Sequence, residues 1–200
     1  RQSKSAHSSF LLFGMREMCS VGPGYEPPAR RRWRLAVAVP CSLVADVPHL
    51  REKTSRLGFL GRALGIFRVD EALIYSDLPG DEARREGRFI SSVLTYMETP
   101  QHLRKLLVRM SPDLGFVGVL PPLRTPNHPT SRRVEDLRIG ETREGVVVEA
   151  DSRASRVDIG VGVLADVPAR LHRESRVSVR IRSIAPKIDA DVVEENRIDI

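Results

Sequence analysis

A chain of 200 residues suits one large domain or two small ones, and its 41% hydrophobic content supports a packed core, yet no apolar run approaches the ~20 residues of a membrane helix. Two cysteines, Cys19 and Cys41, exclude a disulfide scaffold, and five scattered histidines without CxxC or HxxxH spacing give no reason to expect a metal site. The net charge is +6 and 28 of the 32 basic residues are arginine, whose forked guanidinium suits phosphates and base edges; an anionic partner is expected, although an arginine-rich genome alone gives the same count.

Residues 1–33 show no clear period. They contain Ser, Gly and Pro clusters, a net charge of +4 and the run Arg30-Arg31-Arg32. Phe10-Leu11-Leu12-Phe13 is short for a signal-peptide core. A disordered basic extension is expected here, with an RNA-binding arm as the functional alternative. From Arg34 the chain becomes orderly. Leu35–Val39 is a continuous apolar run closed by Pro40, the pattern of a buried parallel strand. A helix is expected over 49–68, striped by Leu57, Leu60, Leu64 and Phe67. A short strand, Ala72–Tyr75, follows. A second helix over 81–98 carries Phe89, Ile90, Val93, Leu94 and Met97 on one face. Thr99-Pro100 reads as the cap and first residue of a third helix, striped by Leu103, Leu106, Leu107 and Met110. Strand, helix, strand, helix predicts a right-handed, doubly wound α/β layout around a parallel sheet.

Four prolines between Pro121 and Pro129 forbid helix or central strand and predict a rigid connector. Short β segments follow at 146–149, 156–159, 161–164 and 176–182, punctuated by Gly140, Gly145, Gly160 and Gly162. They predict a small β-barrel or sandwich, with a boundary near 124–131. Residues 188–200 form an acidic tail of net charge −4.

The first helix holds Gly58, Gly61 and Gly65, within about 60° of one another on the helical wheel. Each costs roughly 1 kcal/mol relative to alanine. Such a strip predicts close approach by a strand, a partner helix or a ligand. Arg62 lies beside it, away from the leucine stripe; on its own it reads first as an ordinary solvated arginine.

Thr54–Asp70 resembles the first motif of the SPOUT-class RNA methyltransferases, a glycine, an arginine, a small residue and a phenylalanine on the first helix. Further stretches match one branch. They are Leu43–Asp46 with Leu50–Thr54, Thr95–Gln101, and Leu120–Pro126 with His128-Pro129. These are similar to archaeal and eukaryotic RNA methyltransferases whose knotted domain carries an inserted OB-like barrel, and the resemblance covers roughly 34–185. It implies a SPOUT-type Rossmann-like domain begun at 34–123, an OB-like insertion at 124–187, and the return to the α/β domain from 188. It implies that Arg62 acts near the methyl acceptor. It further implies a cytoplasmic homodimer packed through the helix of Gly58, Gly61 and Gly65, with S-adenosylmethionine as methyl donor and ribosomal RNA, a uridine base, as substrate. The donor-binding knot would follow the barrel. Here the chain ends at Ile200 with nothing knot-like, so a fragment or frameshifted product is expected, unable alone to bind the donor or catalyse. The alternative is a non-catalytic RNA-binding protein on the same scaffold.

Two further sets of residues are candidates for RNA contact. Arg176, Arg180 and Arg182 have even spacing and share one strand face, as a phosphate track or as an ordinary solvated face. Residues 131–187 contain no Phe, Tyr or Trp, so contact there is expected to be electrostatic rather than stacking. Arg124, Thr125, Asn127 and His128 sit between prolines, as a rigid recognition loop or as a hinge. Cys41 is expected to be a small buried apolar residue.

Overall fold

The computed structural model describes residues 31–125, 128–129 and 132–193, with the backbone course of 9–12. The chain divides into two compact units. One holds 9–12, 31–99 and 110–123; the other holds 100–109 and the residues from Arg124 on.

The first unit is built on a three-stranded sheet of β1 (Ser9–Leu12), β2 (Ala36–Pro40) and β3 (Glu71–Tyr75), in the order β1-β3-β2. β2 runs parallel to β3, with Val37 opposite Ala72 and Val39 opposite Ile74. β1 runs antiparallel to β3, so part of the expected disordered extension is a strand. The rest of that extension lies outside the described residues. Val39 is buried while Ala36 and Ala38 are exposed, so β2 is not buried on both faces as its unbroken apolar run suggested.

Helix α1 spans Leu50–Ile66 and α2 spans Gly80–Glu98. Phe89, Ile90, Val93, Leu94 and Met97 of α2 are all buried, so the predicted stripe is the core face. Their burial is worth roughly 1.5–3 kcal/mol per side chain. On α1, Leu57 and Leu64 are buried, but Phe67 is exposed. The helix ends at Ile66, and Phe67 sits at its C-terminal boundary with ψ of 3°, off the helical face. Within this unit Lys53 donates to both carboxylate oxygens of buried Glu86, at 2.8 and 2.7 Å.

The predicted third helix shrinks to one turn, α3 (Arg104–Leu107), in the second unit. Thr99 does not cap it: its hydroxyl donates back to the Thr95 carbonyl at 2.7 Å, at the end of α2. Leu103 is buried, but Leu106 and Met110 are exposed.

The rest of the second unit is a closed five-stranded barrel: β4 (Thr142–Ala150), β5 (Ser155–Asp158), β6 (Leu164–Val167), β7 (Arg176–Ser183) and β8 (Asp189–Val192). Their order is β4-β5-β6-β8-β7, and β7 closes onto β4. All neighbours are antiparallel except β6 and β8. Val147, Val157, Ile159, Ala165, Val167, Val179, Ile181, Ile188 and Ala190 fill the interior. The barrel runs past residue 187, since Ala190 points into this core between Asp189 and Asp191, the alternation of a half-buried strand. The strand expected at 161–164 begins only at Leu164, because Gly160 and Gly162 adopt φ of +81° and +79°.

His102 docks on this barrel. Its Nε2–H donates to the Glu144 carbonyl at 3.0 Å, and its ring lies where a Cβ on Gly160 would stand, 2.5 Å away. Burial pushes the imidazole below its ordinary pKa, against the pull of that carbonyl. The folded state therefore favours the neutral ring. Stability from this contact is full above the unfolded value of about 6.5 and is lost as pH falls below it. The melting temperature is expected to drop between about pH 7 and pH 5, and His102→Gln to remove part of that drop. An identical pH profile in the variant would assign the loss to other groups.

Candidate functional site

Helix α1 presents two different faces. On the inner face Gly58, Gly61 and Gly65 are buried with Leu57 and Leu64. A Cβ on Gly58 would stand 2.8 Å from Cδ of Pro121 and 3.2 Å from Leu120. A Cβ on Gly61 would stand 2.7 Å from Sδ of Met97 on α2. The close approach that the strip demands at these two positions is thus supplied by the same chain. The expected dimer contact does not rest on it.

On the outer face Arg62 is exposed and makes no ion pair among the described residues. Phe59, one turn before it, is 73% exposed, and Ile66, one turn after it, is 68% exposed. Phe67, just beyond the helix end, is also exposed. Sequence reasoning singled out Arg62 but assigned Phe67 to the core and passed over Phe59 and Ile66. The 59-62-66 spacing was the available signal.

Cys41, just after β2, is buried, and its thiol lies 3.1 Å from where a Cβ on Gly87 would stand. Burial, with the carboxylates of Asp77 and Glu86, pushes this thiol up, so it is no thiolate nucleophile at neutral pH. Asp77 is held below the usual carboxylate range by hydrogen bonds from the Ser42 hydroxyl and amide. Among the described residues no buried side-chain polar atom lacks a hydrogen-bond partner.

On the barrel, Arg176, Ser178, Arg180 and Arg182 share the outer face of β7, since Val179 and Ile181 point inward. They are not equivalent. Arg176 is half-buried and donates from Nε to Glu144 at 2.9 Å; the same carboxylate accepts from Ser178. Arg182 pairs with Asp191 of β8 at 3.4 Å. Arg180 is exposed, opposite Asp191 in the β7–β8 ladder. Acidic groups of neighbouring strands thus offset part of the charge that β7 shows in isolation.

Arg124 is exposed at the start of the proline-flanked loop. Thr125 and His128 close a turn: the His128 amide donates to the Thr125 carbonyl at 2.9 Å, and the two side chains meet at 2.7 Å. Asn127 lies outside the described residues. Among the described residues no helix is long and apolar enough to cross a membrane, and no cluster of His, Cys, Asp or Glu could hold a metal ion.

Both units fall within one family. Residues 34–199 match the family model described as "Putative RNA methyltransferase", and the chain belongs to that family. It is 38% identical over 157 residues to an uncharacterized protein of Haloarcula marismortui, a match covering 76% of this chain and 54% of that protein. It is 32% identical over 166 residues to the 28S rRNA (uridine-N(3))-methyltransferases of Mus musculus and Homo sapiens, covering 76% of this chain and 42% and 43% of theirs. The chain spans about half the length of the curated relatives it matches.

Proposed function

We propose that this chain is the RNA-facing part of a SPOUT-class rRNA methyltransferase acting on a uridine base, with Arg62 on the acceptor side. The observation that carries the reading is the family match across both the α/β unit and the barrel. The matched mouse and human proteins are named for uridine N3. The barrel's strand order, parallel only at its third and fifth strands, supports an OB-like reading.

The chemistry follows from the acceptor. Uridine N3 carries a proton, which must leave before or during methyl transfer. The resulting charge spreads onto O2 and O4. A guanidinium is a fixed, permanently charged fork that can donate to such an oxygen as the charge develops. Arg62 has the freedom to do so, because no carboxylate among the described residues holds it. The flanking Phe59 and Ile66 supply what water exclusion needs. A homodimer closing over this face would desolvate Arg62 and strengthen its pull on a developing anion.

S-adenosylmethionine is the donor we infer for the whole enzyme. The described residues do not fit it: every buried polar side-chain atom is already satisfied, so none is aimed at an absent ligand. Donor binding belongs, on this reading, to the length of the relatives that this chain does not match. The test is methyl transfer by the whole gene product. RNA binding with no donor binding at any length would favour the non-catalytic scaffold instead.

RNA contact by the second unit is electrostatic on this account. Affinity is expected to fall steeply with salt, and Arg180→Ala or Arg124→Ala to flatten the log–log slope by about one each without lowering the melting temperature. Arg176→Ala is expected to act mainly on stability, since it leaves Glu144 without its cation. Salt-independent affinity would overturn the phosphate-track reading.

A further inference from the structure

We propose that Trp33, clamped under Arg31 at the mouth of β2, is a stacking platform for an unpaired RNA base. The proposal rests on the reading that this protein works on RNA, and it deepens that reading by naming where a single strand is gripped.

Trp33 is the one tryptophan of the chain and is 60% exposed. So large an apolar ring left in water is costly unless something covers it. One side is already organised. The Arg31 guanidinium lies over the indole, 4.7 Å from its centroid. Arg31 is itself fixed from behind: it donates to the Arg68 carbonyl and lies 4.0 Å from the carboxylate of buried Asp70. Asp70 in turn accepts the Leu35 amide at 2.8 Å, where β2 begins. The ring therefore sits on a cation anchored to the sheet.

The surroundings select the occupant. Arg32 and Arg34 are exposed on either side of Trp33. A nucleotide offers a π face to the indole and a phosphate to these guanidinium groups at once, whereas an acidic peptide would use the charges and leave the ring uncovered. The barrel has no Phe, Tyr or Trp between 131 and 187, so stacking on a large aromatic ring must come from elsewhere in the protein. The family match starts at residue 34, so Trp33 and Arg31 lie just outside it.

Because Trp33 is the sole tryptophan, its fluorescence reports this position alone. The full chain is titrated with a fluorescein-labelled oligouridine of about 12 nucleotides, reading RNA anisotropy and, with unlabelled oligonucleotide, indole emission. Emission is expected to be quenched in step with binding. Trp33→Ala is expected to weaken binding about 5- to 100-fold, and Trp33→Phe to retain most of it. Binding by anisotropy with unchanged emission and an unaffected Trp33→Ala would overturn the platform while leaving the RNA reading intact. Absence of any binding would overturn both. Equal quenching by polyglutamate would reassign the surface to an acidic protein partner and overturn the proposal.

Discussion

Arg62→Ala is expected to lower the methylation rate of the whole enzyme about 100- to 1,000-fold, the scale of losing one preorganised donor to a developing oxyanion. RNA affinity is expected to change little, because a single exposed arginine contributes about one phosphate's worth of the salt-dependent term. Arg62→Lys keeps the charge but loses the fork, so it is expected to restore only part of the rate. The fold is not at stake: the side chain is exposed and makes no ion pair among the described residues. Phe59→Asp provides the complementary test. It places a charge in the exposed apolar face and is expected to abolish the proposed homodimer in sedimentation, and activity with it, whereas Arg62→Ala is expected to leave that association intact. A wild-type rate in Arg62→Ala would remove Arg62 from the chemistry.

Gly145→Ala is expected to destabilise the barrel by about 3 kcal/mol, toward the upper end of overpacking costs. That corresponds to roughly 12 °C or more in melting temperature for a unit of this size. Gly145 lies inside β4, and β5 packs close against the place of its missing Cβ. The added methyl carbon would stand 2.4 Å from Cγ1 of Val157 and 2.8 Å from the carbonyl oxygen of Asp158. The second of these is backbone in a paired strand and cannot swing aside. Gly61→Ala makes a revealing contrast. Its clash, 2.7 Å, is with the flexible end of Met97, and alanine recovers roughly 1 kcal/mol of helix propensity. Near-neutral stability is expected there. Calorimetry on both variants checks the pair; a harmless Gly145→Ala would mean that β4 and β5 are not held as closely as described.

The residues that announced themselves in the sequence were those whose partners lie on the same element. The α2 stripe was legible because five apolar side chains at helical spacing can only be a core face. The glycine strip announced a close approach, but not its source, since Met97 and Pro121 reach α1 from 36 and 63 residues away along the chain. The β7 arginines were read one strand at a time. Whether they are free depends on Glu144 and Asp191 across the ladder, which no single-strand pattern reveals. β8 hid in an acidic tail because its only strong signal is Ala190 between two aspartates. The third helix failed where local rules competed: Thr99-Pro100 is good start chemistry, yet the Thr99 hydroxyl turns back to Thr95 instead. Trp33 was passed over beside the run Arg30-Arg31-Arg32; that Arg31 lies over it depends on Asp70 and Arg68, beyond any local pattern.

The most direct measurement is nucleoside analysis of unmodified ribosomal RNA after incubation with the whole gene product and methyl-labelled S-adenosylmethionine. Label is expected in a single methylated uridine, carried on the base, and almost none with Arg62→Ala. RNA that binds the protein but gains no methyl group while the donor is bound, or label confined to the ribose, would contradict it.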